Sequence, residues 1–159
     1  SLYFDHVRHG LNLRMNVLPA AVILNEFKNF WKIFNVRKKN LNYLLNKTKE
    51  LSDFAFFNTE ESYETVSPPA FSVTLKKPKY NYKKLYKFLQ DNSIECKRNF
   101  GSMPTQHKAF EFLGHKLGEF PEAEYVGNNG LHFGVHQYLS MKDLDYVVDV
   151  LYKYFNKYL

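Results

Sequence analysis

The stretch His9-Gly10-Leu11-Asn12-Leu13-Arg14-Met15-Asn16 leads, through Pro19, into the longest helical pattern of the chain, and the remaining sequence reads as packing around it. Between Ala20 and Leu51 the apolar residues Ile23, Phe27, Phe30, Trp31, Phe34, Leu41, Leu44, Leu45 and Leu51 mostly recur three or four positions apart. That spacing predicts one long helix with an apolar face that must be buried. Pro19 suits its first position, where no amide hydrogen is needed. A bend is expected near residues 35–40, where Arg37, Lys38, Lys39 and Asn40 interrupt the stripe, and the three basic residues read as a solvated face. From Leu11 to Met15, Asn12 and Arg14 alternate, so an extended backbone sends both side chains to one face. An amide beside a guanidinium can grip an anion. Equally, an asparagine in a glycine turn can cap the backbone, and Arg14 can pair with an acid such as Asp5.

Working outward, Ser52 to Pro69 is polar and acidic and ends in Pro68-Pro69, which suggests a surface connection with room for one edge strand. Phe71, Val73 and Leu75 alternate with Ser72 and Thr74, the period of a strand with one buried face. A helix is expected over Tyr82 to Asn92, a second strand over Ile94 to Phe100, and a sharp loop over Gly101 to Gln106. Short helical turns are expected at Ala109 to Leu113 and Glu122 to Val126. Asn128-Asn129-Gly130 reads as a turn before a third strand, in which Leu131, Phe133 and Val135 alternate with His132, Gly134 and His136. Ser140 and Asp143 fit a capping box at the head of a final helix. Its stripe is Leu144, Val147, Val148, Leu151, Tyr152 and Phe155. The order of elements gives an α+β (α/β) fold: a small, mainly antiparallel sheet with helices packed on one face and a long N-terminal helix. Residues 1–19 form a lead-in segment and 20–159 the domain itself.

The 159 residues suffice for one domain with a real core. A single cysteine, Cys96, cannot form an internal disulfide, and no apolar run approaches the length of a signal or spanning segment, so the cytoplasm is expected and a membrane is not. The net charge of +6 could suit a polyanion, with Lys76, Lys77, Lys79, Lys83, Lys84 and Lys87 as an electrostatic face interleaved by Tyr80, Tyr82 and Tyr86. Abundant Lys, Asn, Phe and Tyr together point instead to coding bias, and nucleic acid is not the expected partner. His6 and His9 with Asp5 lack a second ligand pair, so no metal site is expected. Cys96 with His107 or His136 has no nucleophile signature, and no phosphate-cradling glycine loop is present.

Three motifs in order carry a resemblance: Gly-x-Asn-x-Arg at Gly10 to Arg14 followed by Ala20-Ala21, the stretch Ile94 to Gln106, and Phe120 to Glu124 with Gly130 to His136. Together they resemble the DegT/DnrJ/EryC1/StrS family of pyridoxal-phosphate-dependent nucleotide-sugar aminotransferases. The resemblance implies the C-terminal small domain of a fold-type I enzyme whose Schiff-base lysine and cofactor-binding domain precede the first motif. Only nine residues precede Gly10 here, and none is a lysine. This chain is therefore expected to be inactive alone, contributing no catalytic residue. The implied cofactor of the complete enzyme is pyridoxal 5'-phosphate, with Asn12 reaching the phosphate of the neighbouring subunit's cofactor in a homodimer. The implied substrates are a nucleotide-linked keto-sugar and an amino-acid donor, with Arg14, Arg98 and His136 as substrate-binding residues. Related sugar dehydratases, in which a histidine replaces the lysine, fit the same motifs. A further alternative is an interaction domain that pairs through the apolar face of the long helix.

Overall fold

The computed structural model describes residues 13–99 and 106–158. The chain divides into two compact units, residues 1–32 and 33–159. In the first, Asn16 caps α1 (Val17–Lys28), its side-chain oxygen accepting from Leu18 N at 3.4 Å. Pro19 is thus third rather than first in the helix. Its missing N–H still leaves nothing unpaired, because the first four amides of a helix have no intrahelical partner. The single long helix predicted from the sequence is two helices. α1 stops at Asn29, whose side chain turns back on Asn25 O at 3.5 Å and whose amide N–H bonds to Glu26 O and Phe27 O. Asparagine competes for backbone groups in this way, and the helix ends where it does so. No residue of α1 is buried, so the buried face expected for Ile23 and Phe27 is not formed in this unit. Phe27 stacks on Phe30 with ring centroids 6.2 Å apart.

α2 (Phe30–Lys47) runs unbroken through residues 35–40, against the expected bend. Lys39 is exposed as expected, but three of its polar neighbours make tertiary contacts instead of facing water. Arg37 Nε donates to Gln137 Oε1 at 3.1 Å, Lys38 pairs with Glu60 at 2.9 Å, and the buried Asn40 donates to His136 O at 3.1 Å. After α2 the buried Thr48 hydroxyl donates back to Leu44 O, and a 3-10 turn over Lys49–Asp53 carries Leu51 into the core.

Within the second unit four strands form an all-antiparallel sheet in the order β1-β2-β4-β3: β1 (Ala55–Phe57), β2 (Ala70–Leu75), β3 (Cys96–Arg98) and β4 (Gly130–Gly134). β1 is the edge strand that the polar connection left room for. One sheet face carries Ala55, Phe71, Val73, Leu75, Cys96, Leu131 and Phe133, all buried. Leu85 and Leu89 of α3 (Tyr82–Asp91) join them in the core, as do Leu144, Val148, Leu151 and Phe155 of α5 (Met141–Phe155). The capping box at Ser140 and Asp143 is present.

α4 (Pro121–Asn129) reaches the other face: a side chain on Gly130, which shares that face with Thr74, would meet Val126 O at 2.5 Å. Helices therefore lie mainly, but not wholly, on one side of the sheet. The turn predicted at Asn128-Asn129-Gly130 is absent, because α4 extends to Asn129 and passes directly into β4. Side chains satisfy its last carbonyls: Asn129 Nδ2 donates to Tyr125 O and Arg98 Nε to Gly127 O. With those groups paired, no separate turn is needed.

Candidate functional site

The polar face of the sheet carries a row of side chains set by strand register. His132 of β4 stands opposite Ser72 of β2 and opposite Lys97 of β3. Directly paired residues on antiparallel strands project to the same face, so the three are neighbours. Asn99, two residues beyond Lys97, completes a relay: its Nδ2 donates to Ser72 Oγ at 2.7 Å and its Oδ1 lies 3.0 Å from His132 Nδ1. With Asn99 Nδ2 committed to Ser72, its Oδ1 accepts from Nδ1–H of His132.

Beyond this row, pairing between β3 and β4 stops at Cys96 opposite Phe133, and the residues leading into β3 part from β4. The gap is a cleft of about 560 Å³. Its floor is bare where Ala70 and Gly134 face each other, and its polar lining is Glu95, Lys97, His132, His136 and Asp143. Apolar lining comes from Ile94, Phe133, Leu139 and Val147. Tyr146 closes one side, its hydroxyl donating to Asn92 O at 3.0 Å. His136 accepts the Tyr138 amide hydrogen at Nδ1, 3.3 Å away. The Asp143 carboxyl is held below the usual carboxylate range by the Ser140 hydroxyl and amide, with a smaller contribution from His136.

Of the residues expected from the sequence, Asn12 lies outside the described residues, as does most of the Gly101 to Gln106 loop. Arg14 is exposed, just ahead of α1, in the first unit. Arg98 and His136 are not brought together. Arg98 pairs with Leu131 and projects to the opposite sheet face from Lys97. There its guanidinium donates to Gly127 O at 2.6 Å and Asn128 Oδ1 at 2.7 Å and lies over the Tyr82 ring. His132, which was not among the site residues expected from the sequence, is held through Nδ1 by Asn99. Alternation alone showed that His132 and His136 share a face; the Ser72 and Asn99 contacts come from strands distant in sequence and carried no local signal.

The lysines of the described residues are exposed or half-exposed. Lys38 is held by Glu60, and Lys76 lies over the Phe56 ring. None is buried in a pocket as a Schiff-base lysine would be, so the described residues do not fit as a complete cofactor site. Cys96 is buried and its thiol is pushed up to about 11, chiefly by burial. It is no poised nucleophile. Tyr80 is buried and Tyr82 and Tyr86 pack on each other, so the tyrosines of the lysine-rich face are not free to stack on bases. Among the described residues no cluster of His, Cys, Asp and Glu is placed to hold a metal ion, and no helix is long and apolar enough to cross a membrane.

Comparison with known proteins gives a consistent assignment. The family profile described as DegT/DnrJ/EryC1/StrS aminotransferase matches residues 2–152. GDP-4-keto-6-deoxy-D-mannose 3-dehydratase of Escherichia coli O55:H7 (strain CB9615 / EPEC) is 29% identical over 153 residues, covering 93% of this chain and 38% of that protein. A solved mutant of GDP-4-keto-6-deoxymannose-3-dehydratase (ColD) with bound GDP-perosamine is 27% identical, with a TM-score of 0.78 over 94% of this chain and 39% of its own. A structure of GDP-4-keto-6-deoxymannose-3-dehydratase with a trapped PLP-glutamate geminal diamine is 26% identical, with a TM-score of 0.77 over 92% of this chain and 38% of its own. The chain thus spans just under two fifths of the length of these relatives. With the profile matched from residue 2 to residue 152 and the fold shared, this chain belongs to the DegT/DnrJ/EryC1/StrS aminotransferase family.

Proposed function

We propose that this chain is the C-terminal, small-domain portion of a pyridoxal-phosphate enzyme acting on a nucleotide-linked keto-sugar in the cytoplasm. The observation that carries the reading is the family match over residues 2–152 at 38% coverage of the dehydratase. The cofactor supplies the electron sink for chemistry next to a sugar carbonyl, and its lysine belongs to the preceding domain. This chain supplies contacts. The family resemblance assigns Asn12 to the cofactor phosphate of a neighbouring subunit in a homodimer, and assigns Arg14 and His136, each on its own, to the substrate. Arg98 is retained as a substrate residue only through its loop, since its own guanidinium clamps the end of α4.

Two reactions fit the family: transamination from an amino-acid donor such as glutamate, and 3-dehydration. The 29% identity with a 3-dehydratase favours dehydration. The residue that separates the two, lysine or histidine, belongs to the cofactor domain. The test is to mix the chain with pyridoxal 5'-phosphate and record the visible spectrum. No stoichiometric lysine-bound band is expected. A band that disappears on substituting one lysine, or unaided turnover of a nucleotide-linked ketose, overturns the reading.

A further inference from the structure

We propose that the lysine-rich corner where β2 turns into α3 is an electrostatic docking surface for a membrane of anionic lipids, on which this domain rests without crossing it. Charge is concentrated there. Lys76, Lys77, Lys79, Lys83, Lys84 and Lys87 fall in one run, residues 76–87, that holds no acid, and the other 16 basic residues of the chain equal its 16 acids. The net charge of +6 therefore belongs to this one segment. Coding bias enriches lysine everywhere and does not account for such confinement. Local structure turns the charges outward. Lys77 and Lys79 are exposed in and beside the 3-10 turn Pro78–Tyr80. Lys83, Lys84 and Lys87 are exposed within an arc of about 100° on α3, opposite the buried Leu85 and Leu89. Among the described residues only Lys87 of the six is in an ion pair, with Asp91 at 3.0 Å. Lys83 and Lys84 stand in the first turn of α3, which has no acid and where the helix dipole disfavours cations. This arrangement works against the fold until an anion relieves it.

The same residues separate lipid from nucleic acid. All six are lysines, compact point charges, with no arginine fork among them for paired contacts to phosphates or bases. The tyrosines between them are buried or packed on each other. The ring exposed at this corner is Phe56 of the edge strand β1, with Lys76 Nζ 4.7 Å from its centroid. A phenylalanine beside a cation suits the boundary between headgroups and acyl chains. Clusters of about four to eight basic residues draw anionic headgroups, by an attraction that salt screens.

The test is co-sedimentation of the full chain with vesicles of phosphatidylcholine, alone or mixed with phosphatidylglycerol, at about 50 and about 300 mM salt. Neutral vesicles register whatever the apolar α1 binds, so the gain on adding the anionic lipid is the signal. That gain is expected to be on the order of a thousandfold at the lower salt and to shrink steeply at the higher. Lys77→Gln with Lys83→Gln and Lys84→Gln is expected to cut it on the order of a hundredfold, three charges at the surface. The same variant is expected to melt no lower than the parent, since it takes cations away from the head of α3. Lys108→Gln with Lys116→Gln and Lys142→Gln removes equal charge from exposed positions elsewhere and is expected to leave the gain within about threefold. Equal binding to both kinds of vesicle, a gain indifferent to salt, or equal losses in the two variants overturns the proposal. So does an oligonucleotide that strips the chain from the vesicles at a lower phosphate concentration and is itself released by the first variant, which assigns the corner to nucleic acid.

Discussion

Gly130 is the position at which a single methyl group decides most. Its ideal Cβ would lie 2.5 Å from Asn99 Nδ2, 2.5 Å from Val126 O and 2.9 Å from Thr74 Oγ1, two of them backbone or tightly held groups. Gly130→Ala is expected to destabilise the chain by about 1–3 kcal/mol in urea unfolding and to detach Asn99 from His132. Gly134→Ala meets only the far edge of the His136 ring at 3.3 Å and should be milder by the same measurement. Arg98→Ala removes two short donor contacts to the end of α4, which should cost about 1.5–3 kcal/mol for hydrogen bonds to a charged group. Arg98→Lys, with one point charge in place of a planar fork, should recover little of it. Cys96, buried and with its thiol raised to about 11, is expected to resist alkylation near pH 8 until the chain unfolds, so its labelling rate reports opening of the core. The sequence placed His132 and His136 on one face, but could not reveal that Ser72 and Asn99 orient only the first.

At the level of elements, strand period and capping chemistry were legible, and interruptions were not. The box at Ser140 and Asp143 and the strand at Phe71 to Leu75 follow from local rules that no tertiary contact overrides. The bend expected at 35–40 was an error of context: Gln137, Glu60 and His136 O, all far along the chain, turn polar residues of α2 into contacts. The break at Asn29 had only one asparagine to announce it. Two acids hold element ends in place. Glu124 accepts from Gln106, Gly118 N and Phe120 N, and Asp143 from Ser140; these donors keep both carboxyls below their ordinary range. A carboxyl whose folded pKa is depressed stabilises fully above its unfolded pKa and loses that contribution as the pH falls through the folded value. Thermal melting is therefore expected to be flat across neutral pH and to fall on the acid side of the ordinary carboxylate range. Glu124→Gln and Asp143→Asn should each flatten part of that decline.

Across the whole molecule, the second unit has a core that closes on itself, whereas α1 has none. Val17, Leu18, Val22, Ile23, Leu24 and Phe27 are all more than half exposed. From Ala20 to Leu24 five apolar residues follow one another, and at 100° per residue they cover every side of the helix. Ile23→Glu with Phe27→Glu should leave the second unit's melting unchanged and sharply reduce any association seen by sedimentation. The consequence concerns stoichiometry. A rod that is greasy around its full circumference asks for a tunnel rather than a wall, and pairing with its twin would wet-proof one stripe and leave the others bare. Any self-assembly driven by this rod alone would not halt at two copies but grow with concentration, and only a host that wraps it can bring the count to a stop.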